Sequence, residues 1–141
     1  MPSDAADAST RYVLFVCKHN AGRSQMAQAL FERYAPANVR AESAGTEPAA
    51  EIWPPVVQAM RELGIELAGR TPKQLTVEMQ QRASWAVTMG CGDACPYVPS
   101  TVMDWSLPDP SGKPLDEVRR VRDQIEQRVR DLISTYIDPR A

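Results

Sequence analysis

A cysteine and an arginine separated by five residues follow an apolar run near the start of the chain. Cys17 comes directly after Tyr12 to Val16, and Arg23 follows Gly22 at the point where helical periodicity begins. A strand, a tight loop and a helix start gather backbone N–H groups around an anion. Arg23 would add a planar fork that binds a tetrahedral oxyanion through two hydrogen bonds. Since the same amides favour a thiolate, this pattern predicts an ionised nucleophile at the floor of an oxyanion site.

The spacing of Cys17 and Arg23 is weak evidence when taken alone. A buried structural cysteine with an arginine nearby by chance would give the same two letters. The flanking features favour the functional interpretation, because a β-rich run precedes the loop, a glycine lies within it and a helix follows.

Hydrophobic periodicity along the rest of the chain predicts alternating strands and helices. The predicted strands cover 12–16, 39–43, 85–89 and 101–105, and the predicted helices cover 23–34, 54–63, 76–82 and 115–136. The last helix is expected to place five residues on its inner face: Val118, Val121, Ile125, Leu132 and Tyr136. Strands that alternate with helices predict a doubly wound α/β fold.

Three residues with reactive side chains follow predicted strands: Cys17, Cys91 and Asp109. Ligands in doubly wound folds bind beyond the carboxyl ends of the strands, so these residues could meet at one edge of the sheet. By itself, Asp109 in a loop is more simply a cap or a turn residue.

The composition is typical of a soluble globular protein with one domain. The chain has 141 residues, of which 43% are hydrophobic and 24% charged, and its formal net charge is -2. We therefore expect no nucleic-acid or membrane partner, and any anion must be bound locally. Residues 1–10 are expected to be a flexible leader and residues 11–141 a single domain. The leader has no apolar core, so it is not a signal peptide, and the expected compartment is the cytoplasm.

Cys91 and Cys95 lie in a predicted loop that contains Gly90, Gly92 and Pro96. Three interpretations compete: buried small side chains, two metal ligands, or a redox pair. Structural zinc needs four ligands, and the single histidine of the chain belongs to the loop after Cys17, so we predict no metal site. From their number alone, three cysteines in a protein of this kind suggest reactive thiols or a metal site more than a structural disulfide framework.

The run Val13-Leu14-Phe15-Val16-Cys17-x5-Arg23-Ser24-Gln25-Met26-Ala27 resembles the low-molecular-weight tyrosine phosphatase superfold. Within it, the segment from His19 to Ala27 resembles the thiol-relay arsenate reductases of that fold. The similarity extends from about Tyr12 to about Ile137. The resemblance implies a single-domain three-layer sandwich with a central four-stranded parallel sheet.

The resemblance also implies site residues. Cys17 would be the nucleophile, and Asp109, which precedes Pro110, the general acid that protonates the leaving oxygen. Ser24 would stabilise the thiolate, and Ser43 lies where related enzymes support the loop. The oxyanion-binding loop would comprise seven residues: Lys18, His19, Asn20, Ala21, Gly22, Arg23 and Ser24. Lys18 and His19 are expected only to present backbone amides and to point outward.

The implied reaction is reduction of arsenate to arsenite, with phosphate or sulfate as oxyanion mimics. Cys91 and Cys95 would act as the second and third cysteines of a thiol relay, although the familiar thioredoxin-linked members have a wider spacing between them. No tightly bound cofactor is expected, and reducing equivalents would come from thioredoxin first, or from a small thiol with a glutaredoxin-like protein. Some relatives bind potassium through a Glu eleven places after the nucleophile. Gln28 stands there, so no potassium site is predicted.

Two other functions stay open. A low-molecular-weight protein tyrosine phosphatase would share the loop and the acid. Against it, Ser111 and Gly112 follow Asp109-Pro110, where the phosphatases commonly have tyrosines that stack on the substrate ring. A non-catalytic anion-binding module would need neither Asp109 nor the cysteine pair.

Overall fold

The continuously apolar run before Cys17 forms the centre of the sheet. In the computed structural model, which describes residues 10–89 and 101–138, strand β1 spans Arg11–Cys17. Its residues Val13 to Val16 are completely buried. A strand that is apolar on both faces must be covered on both faces by other elements. β1 also pairs in parallel with a strand on each of its edges, so it lies inside the sheet.

The other elements alternate along the chain as the periodicity predicts. Their bounds are α1 Arg23–Tyr34, β2 Val39–Gly45, α2 Pro54–Arg61, α3 Val77–Arg82, β3 Ala83–Thr88, β4 Thr101–Asp104 and α4 Leu115–Leu132. The predicted leader up to Ser9 and the loop with Cys91 and Cys95 lie outside the described residues.

All described strands are parallel, in the order β2-β1-β3-β4. Side chains of β1 alternate between two clusters. Phe15 packs into the larger cluster with residues of α1, α2 and α4, whereas Leu14 and Val16 face the smaller cluster around Met79 of α3. The predicted α/β fold, a three-layer sandwich around a four-stranded parallel sheet, is thereby confirmed.

The predicted inner face of the last helix is wrong at Tyr136, which is 51% exposed. After Leu132 the chain forms a π-helical turn, Ile133–Ile137, closed by a hydrogen bond from the Asp138 N–H to the Ile133 carbonyl. A π turn uses one residue more than an α turn, so the inward position moves from residue 136 to the buried Ile137.

A cluster of charges joins the end of α2 to α4. Arg119 donates to both carboxylate oxygens of Glu62, and Arg122 donates to Glu62 and to the Ala59 carbonyl. Hydrogen bonds from Arg119 and then Arg122 lower the pKa of Glu62 from 4.5 to about 2.

Replacing Glu62 with glutamine should lower the free energy of unfolding near neutral pH but not near pH 2. The folded state binds the Glu62 proton less tightly than the unfolded state, so this stabilisation is present above about pH 4.5 and disappears as the pH falls to about 2. Urea unfolding of Glu62→Gln and wild type across that range measures the difference. Glu117→Gln, which removes an exposed pair with Arg120 within one helix, should cost little at any pH. A difference for Glu62→Gln that stays constant down to pH 2 would contradict the assignment.

Candidate active site

Hydrogen bonds to its main-chain carbonyls hold the loop between β1 and α1 in place. Backbone N–H groups of the segment 46–53 donate to the carbonyls of Cys17, Lys18, His19 and Ala21 at 2.8–3.3 Å. The peptides of the described residues are all trans, so the N–H of each such peptide points away from that segment. The N–H groups of these peptides are therefore left on the side of the loop away from residues 46–53, where an anion could bind them.

Two glycines let neighbouring chain segments approach this loop. A Cβ on Gly45, the last residue of β2, would lie 2.6 Å from the Lys18 carbonyl oxygen. A Cβ on Gly22, just before α1, would lie 2.9 Å from the Trp53 ring and 3.3 Å from Pro110. Both positions exclude larger side chains because real Cβ atoms do not approach other atoms so closely.

Cys17 lies at the base of the loop as the last residue of β1, and it is only 2% exposed. Its Sγ is 2.9 Å from the Ser24 hydroxyl, and the Asn20 amide donates to the same hydroxyl oxygen at 2.7 Å. Since the Ser24 oxygen accepts from Asn20, its own proton is available to the sulfur. Asn20 adopts a φ of 50°, in the left-handed region that asparagine tolerates better than most residues.

Arg23 links the loop to the candidate acid. The Arg23 guanidinium is 6% exposed, and its Nη1 donates to the Leu107 carbonyl at 3.1 Å. Its Nη2 lies 3.7 Å from Oδ2 of Asp109, whose side chain is about half exposed. The other oxygen, Oδ1, accepts from the Ser111 N–H at 3.0 Å. The structure thus brings Cys17, Arg23 and Asp109 to the same edge of the sheet.

The remaining predicted positions differ in their contacts. Lys18 is exposed. The His19 ring packs edge-on against Trp53 with centroids 5.8 Å apart, and its Nδ1 is 3.1 Å from the Glu47 carbonyl oxygen. Ser43 is buried in β2, and its hydroxyl donates to Gln28 of α1 at 2.6 Å. Ser43 therefore contacts α1 rather than a side chain of the oxyanion loop.

Two neighbours of the site were not predicted from the sequence. Trp53 contacts both His19 and Gly22, and Gln25 donates to Asn20. An aromatic residue in a predicted loop just before Pro54 was the available signal for Trp53. For Gln25, the signal was a polar residue within the first turn of a predicted helix.

No helix within residues 10–89 and 101–138 is both long enough and apolar enough to cross a membrane.

Comparisons with known proteins agree with this architecture. The arsenate reductase of Bacillus cereus strain AH187 is 35% identical over 128 residues, which cover 87% of this chain and 94% of that protein. The glutaredoxin arsenate reductase of Synechocystis is 32% identical over 126 residues, covering 86% and 95%. The solved thioredoxin-dependent arsenate reductase of Corynebacterium glutamicum superposes with a TM-score of 0.81 at 37% identity. That match covers 93% of this chain but only 64% of the other.

A family model gives the assignment. The model described as low molecular weight phosphotyrosine protein phosphatase matches residues 12–138, from β1 to the end of the described chain. The matched range includes every residue of the loop after Cys17 and also Asp109. The chain therefore belongs to the low molecular weight phosphotyrosine protein phosphatase family.

Proposed function

We propose that this protein reduces arsenate to arsenite, with Cys17 as the nucleophile. The observation that carries the proposal is the buried Cys17 sulfur 2.9 Å from the Ser24 hydroxyl, at the base of a loop whose carbonyls are bound by residues 46–53. At this distance the Ser24 hydroxyl can hydrogen-bond a thiolate, which is the attacking form of a cysteine. The relatives named as arsenate reductases support the choice of oxyanion.

In the first step the Cys17 thiolate attacks arsenic, which is bound by the loop amides and Arg23. A sulfur–arsenic bond forms and one arsenic–oxygen bond breaks, with the departing oxygen leaving as water after it takes a proton from Asp109. The position of Asp109 beside Arg23, at 3.7 Å, supports this role because both side chains would face the same oxyanion.

In the second step the Cys91 thiolate attacks the Cys17 sulfur. A Cys17–Cys91 disulfide forms, the sulfur–arsenic bond breaks, and its electron pair reduces arsenic from the pentavalent to the trivalent state. Cys95 then attacks Cys91, which frees Cys17 and leaves a Cys91–Cys95 disulfide. Cys91 and Cys95 lie outside the described residues, so their assignment rests on the sequence.

The Cys91–Cys95 disulfide would be reduced from outside. We favour thioredoxin, in agreement with the Corynebacterium neighbour, and place a glutaredoxin-like protein with a small thiol second, in agreement with the Synechocystis relative. Arsenate-dependent oxidation of NADPH, measured with thioredoxin and its reductase and separately with a glutathione and glutaredoxin system, distinguishes them. Absence of arsenate-dependent turnover in both systems would contradict arsenate reduction.

Replacing either relay cysteine with serine should stop multiple turnover and spare the chemistry of the loop. Cys91→Ser and Cys95→Ser should each abolish sustained arsenate reduction with the external reductant. Both should retain slow hydrolysis of an aryl phosphate, which needs only Cys17, Arg23 and Asp109. Mass mapping of disulfides after one turnover gives the second readout. Sustained turnover by Cys91→Ser would show that an external thiol attacks Cys17 directly.

A tyrosine phosphatase is the second candidate, because the matching family carries that name. It would share Cys17, Arg23 and Asp109 but would hydrolyse a thiophosphate intermediate. Ser111 and Gly112 after Asp109-Pro110 provide no aromatic side chain to stack on a phosphotyrosine ring. Fast hydrolysis of phosphotyrosine by the wild-type protein, with no reduction of arsenate, would favour this alternative.

A further inference from the structure

Gln25 occupies a buried polar position next to the loop, although it has no contact with Cys17. It belongs to the first turn of α1 and is only 2% exposed. Its Nε2 donates to the Asn20 side-chain oxygen at 3.0 Å and to the Thr71 carbonyl at 3.4 Å. A buried amide is costly unless it is paired, and here both N–H groups of the amide have acceptors.

The Asn20 amide is fixed at both ends. Its Oδ1 accepts from Gln25 and also from the Lys73 backbone N–H at 2.9 Å. A backbone N–H can only donate, so the atom that faces Lys73 must be the oxygen. The Nδ2 end therefore faces Ser24 and donates to its hydroxyl at 2.7 Å.

The orientation of Asn20 decides where the Ser24 proton goes. With Nδ2 facing Ser24, the hydroxyl oxygen accepts and its proton is directed to the Cys17 sulfur, 2.9 Å away. If the amide were turned over, its oxygen would face Ser24 and would take that proton instead. The sulfur would then lose its hydroxyl donor without any change in Ser24 itself.

We propose that Gln25 is a positioning residue that, together with the Lys73 N–H, holds the orientation of the Asn20 amide and thereby directs the Ser24 proton to Cys17. The Asn20 oxygen thus has two donors: the Lys73 N–H, from a segment that is hydrogen-bonded to Gly45, and the Gln25 amide, from α1. Gln25 stands on a helix and ties Thr71 of that segment to Asn20. The inference rests on the proposed nucleophilic role of Cys17.

The test is the pH profile of Cys17 alkylation by iodoacetamide, with each cysteine read separately by peptide mass mapping. No arsenate is present, so failure of arsenate reduction leaves this measurement intact. Gln25→Glu replaces a donor with an acceptor opposite Asn20 Oδ1, and this favours the turned amide. The midpoint of the alkylation profile should move to a higher pH by about one unit or more, since loss of a hydrogen bond to a charged group changes an ionisation equilibrium about tenfold or more. Gln25→Met, which keeps the Lys73 anchor, should move it less.

Gln28→Glu is the matched control for charge, measured in potassium-free buffer because some relatives bind potassium through a Glu at this position. It adds the same negative charge to the same helix, but Gln28 contacts Ser43 and Glu32 rather than Asn20. Its profile should stay within a few tenths of a pH unit of the wild type, because Gln28 is only partly buried and solvent screens a charge there. Equal shifts for Gln25→Glu and Gln28→Glu would overturn the proposal in favour of charge alone.

A second measurement asks whether Gln25 acts through Ser24. In a Ser24→Ala background there is no hydroxyl proton to redirect, so Gln25→Glu should produce no further shift. An undiminished shift in that background would overturn the proposal that Gln25 acts through Asn20 and Ser24. Alkylation profiles equal to that of the wild type for both Gln25 variants would overturn it as well. A general loosening of the loop would instead expose Cys17 and raise its alkylation rate at every pH, with a lower melting temperature, and that result would make Gln25 merely structural.

Discussion

Replacing Cys17 with serine should lower arsenate reduction by more than about a thousandfold, since removal of a catalytic nucleophile has effects of this size or larger. The hydroxyl of serine stays protonated near neutral pH, whereas in the proposed mechanism the Cys17 sulfur, 2.9 Å from the Ser24 hydroxyl, attacks as a thiolate. Any slow hydrolysis of aryl phosphates should be lost with it. NADPH-coupled turnover and aryl phosphate hydrolysis of the purified variant measure both losses.

The Cys17→Ser variant should keep its fold and its anion site. One sulfur is exchanged for one oxygen, and the loop amides and Arg23 are unchanged. Calorimetric titration with phosphate should therefore still detect binding, and the melting temperature should stay close to that of the wild type. Substantial residual turnover in a correctly folded variant would refute the assignment of Cys17 as the nucleophile.

Replacing Arg23 with lysine should reduce catalysis by roughly a hundredfold or more, although the charge is retained. The Arg23 guanidinium donates to the Leu107 carbonyl and lies 3.7 Å from Asp109. The same planar group must therefore contact the loop that carries Asp109 and also bind the oxyanion. A lysine ammonium is a point charge and cannot repeat that geometry. We expect kcat/KM for arsenate to fall, with weaker phosphate binding measured by calorimetry.

Arg33→Lys provides the matched control for this substitution. Arg33 lies on the same helix, in its last turn, and is exposed to solvent. The same exchange there should leave kcat/KM within about a factor of two of the wild type. Surface substitutions usually change stability little, so the folded site should stay intact. Near-normal catalysis by Arg23→Lys would show that Arg23 acts only as a charge.

The features that could be predicted from the sequence are those encoded over short stretches. The apolar run ending at Cys17 predicted a central strand, and the periodicity after Gly22 predicted a helix whose bounds agree with α1, Arg23–Tyr34. The order of strands and helices then predicted the parallel sheet, and the edge at which Cys17 and Asp109 were expected to meet is the one where Arg23 approaches Asp109.

The features that could not be predicted depend on irregular local geometry or on contacts between distant segments. The placement of Tyr136 on the inner face is wrong because a periodicity of 3.6 residues cannot reveal a π turn. Trp53 reaches the loop only because the chain around residues 46–53 packs against it, and the hydrogen bond from Gln25 to Thr71 joins residues 46 apart in the sequence. The roles of Cys91 and Cys95 stay predictions, since those residues lie outside the described part of the chain.

The main-chain hydrogen bonds between the oxyanion loop and residues 46–53 also bear on how this protein could evolve. They join backbone atoms only, so most substitutions in either segment leave them intact. The exposed Lys18 is therefore free to change without loss of the anion-binding shape, whereas the His19 side chain contacts Trp53 and the Glu47 carbonyl. One ancestral scaffold could acquire new reactions by altering the mouth of the site and the loops that bring extra thiols or aromatic rings. This accounts for a phosphatase family whose members include proteins named as arsenate reductases.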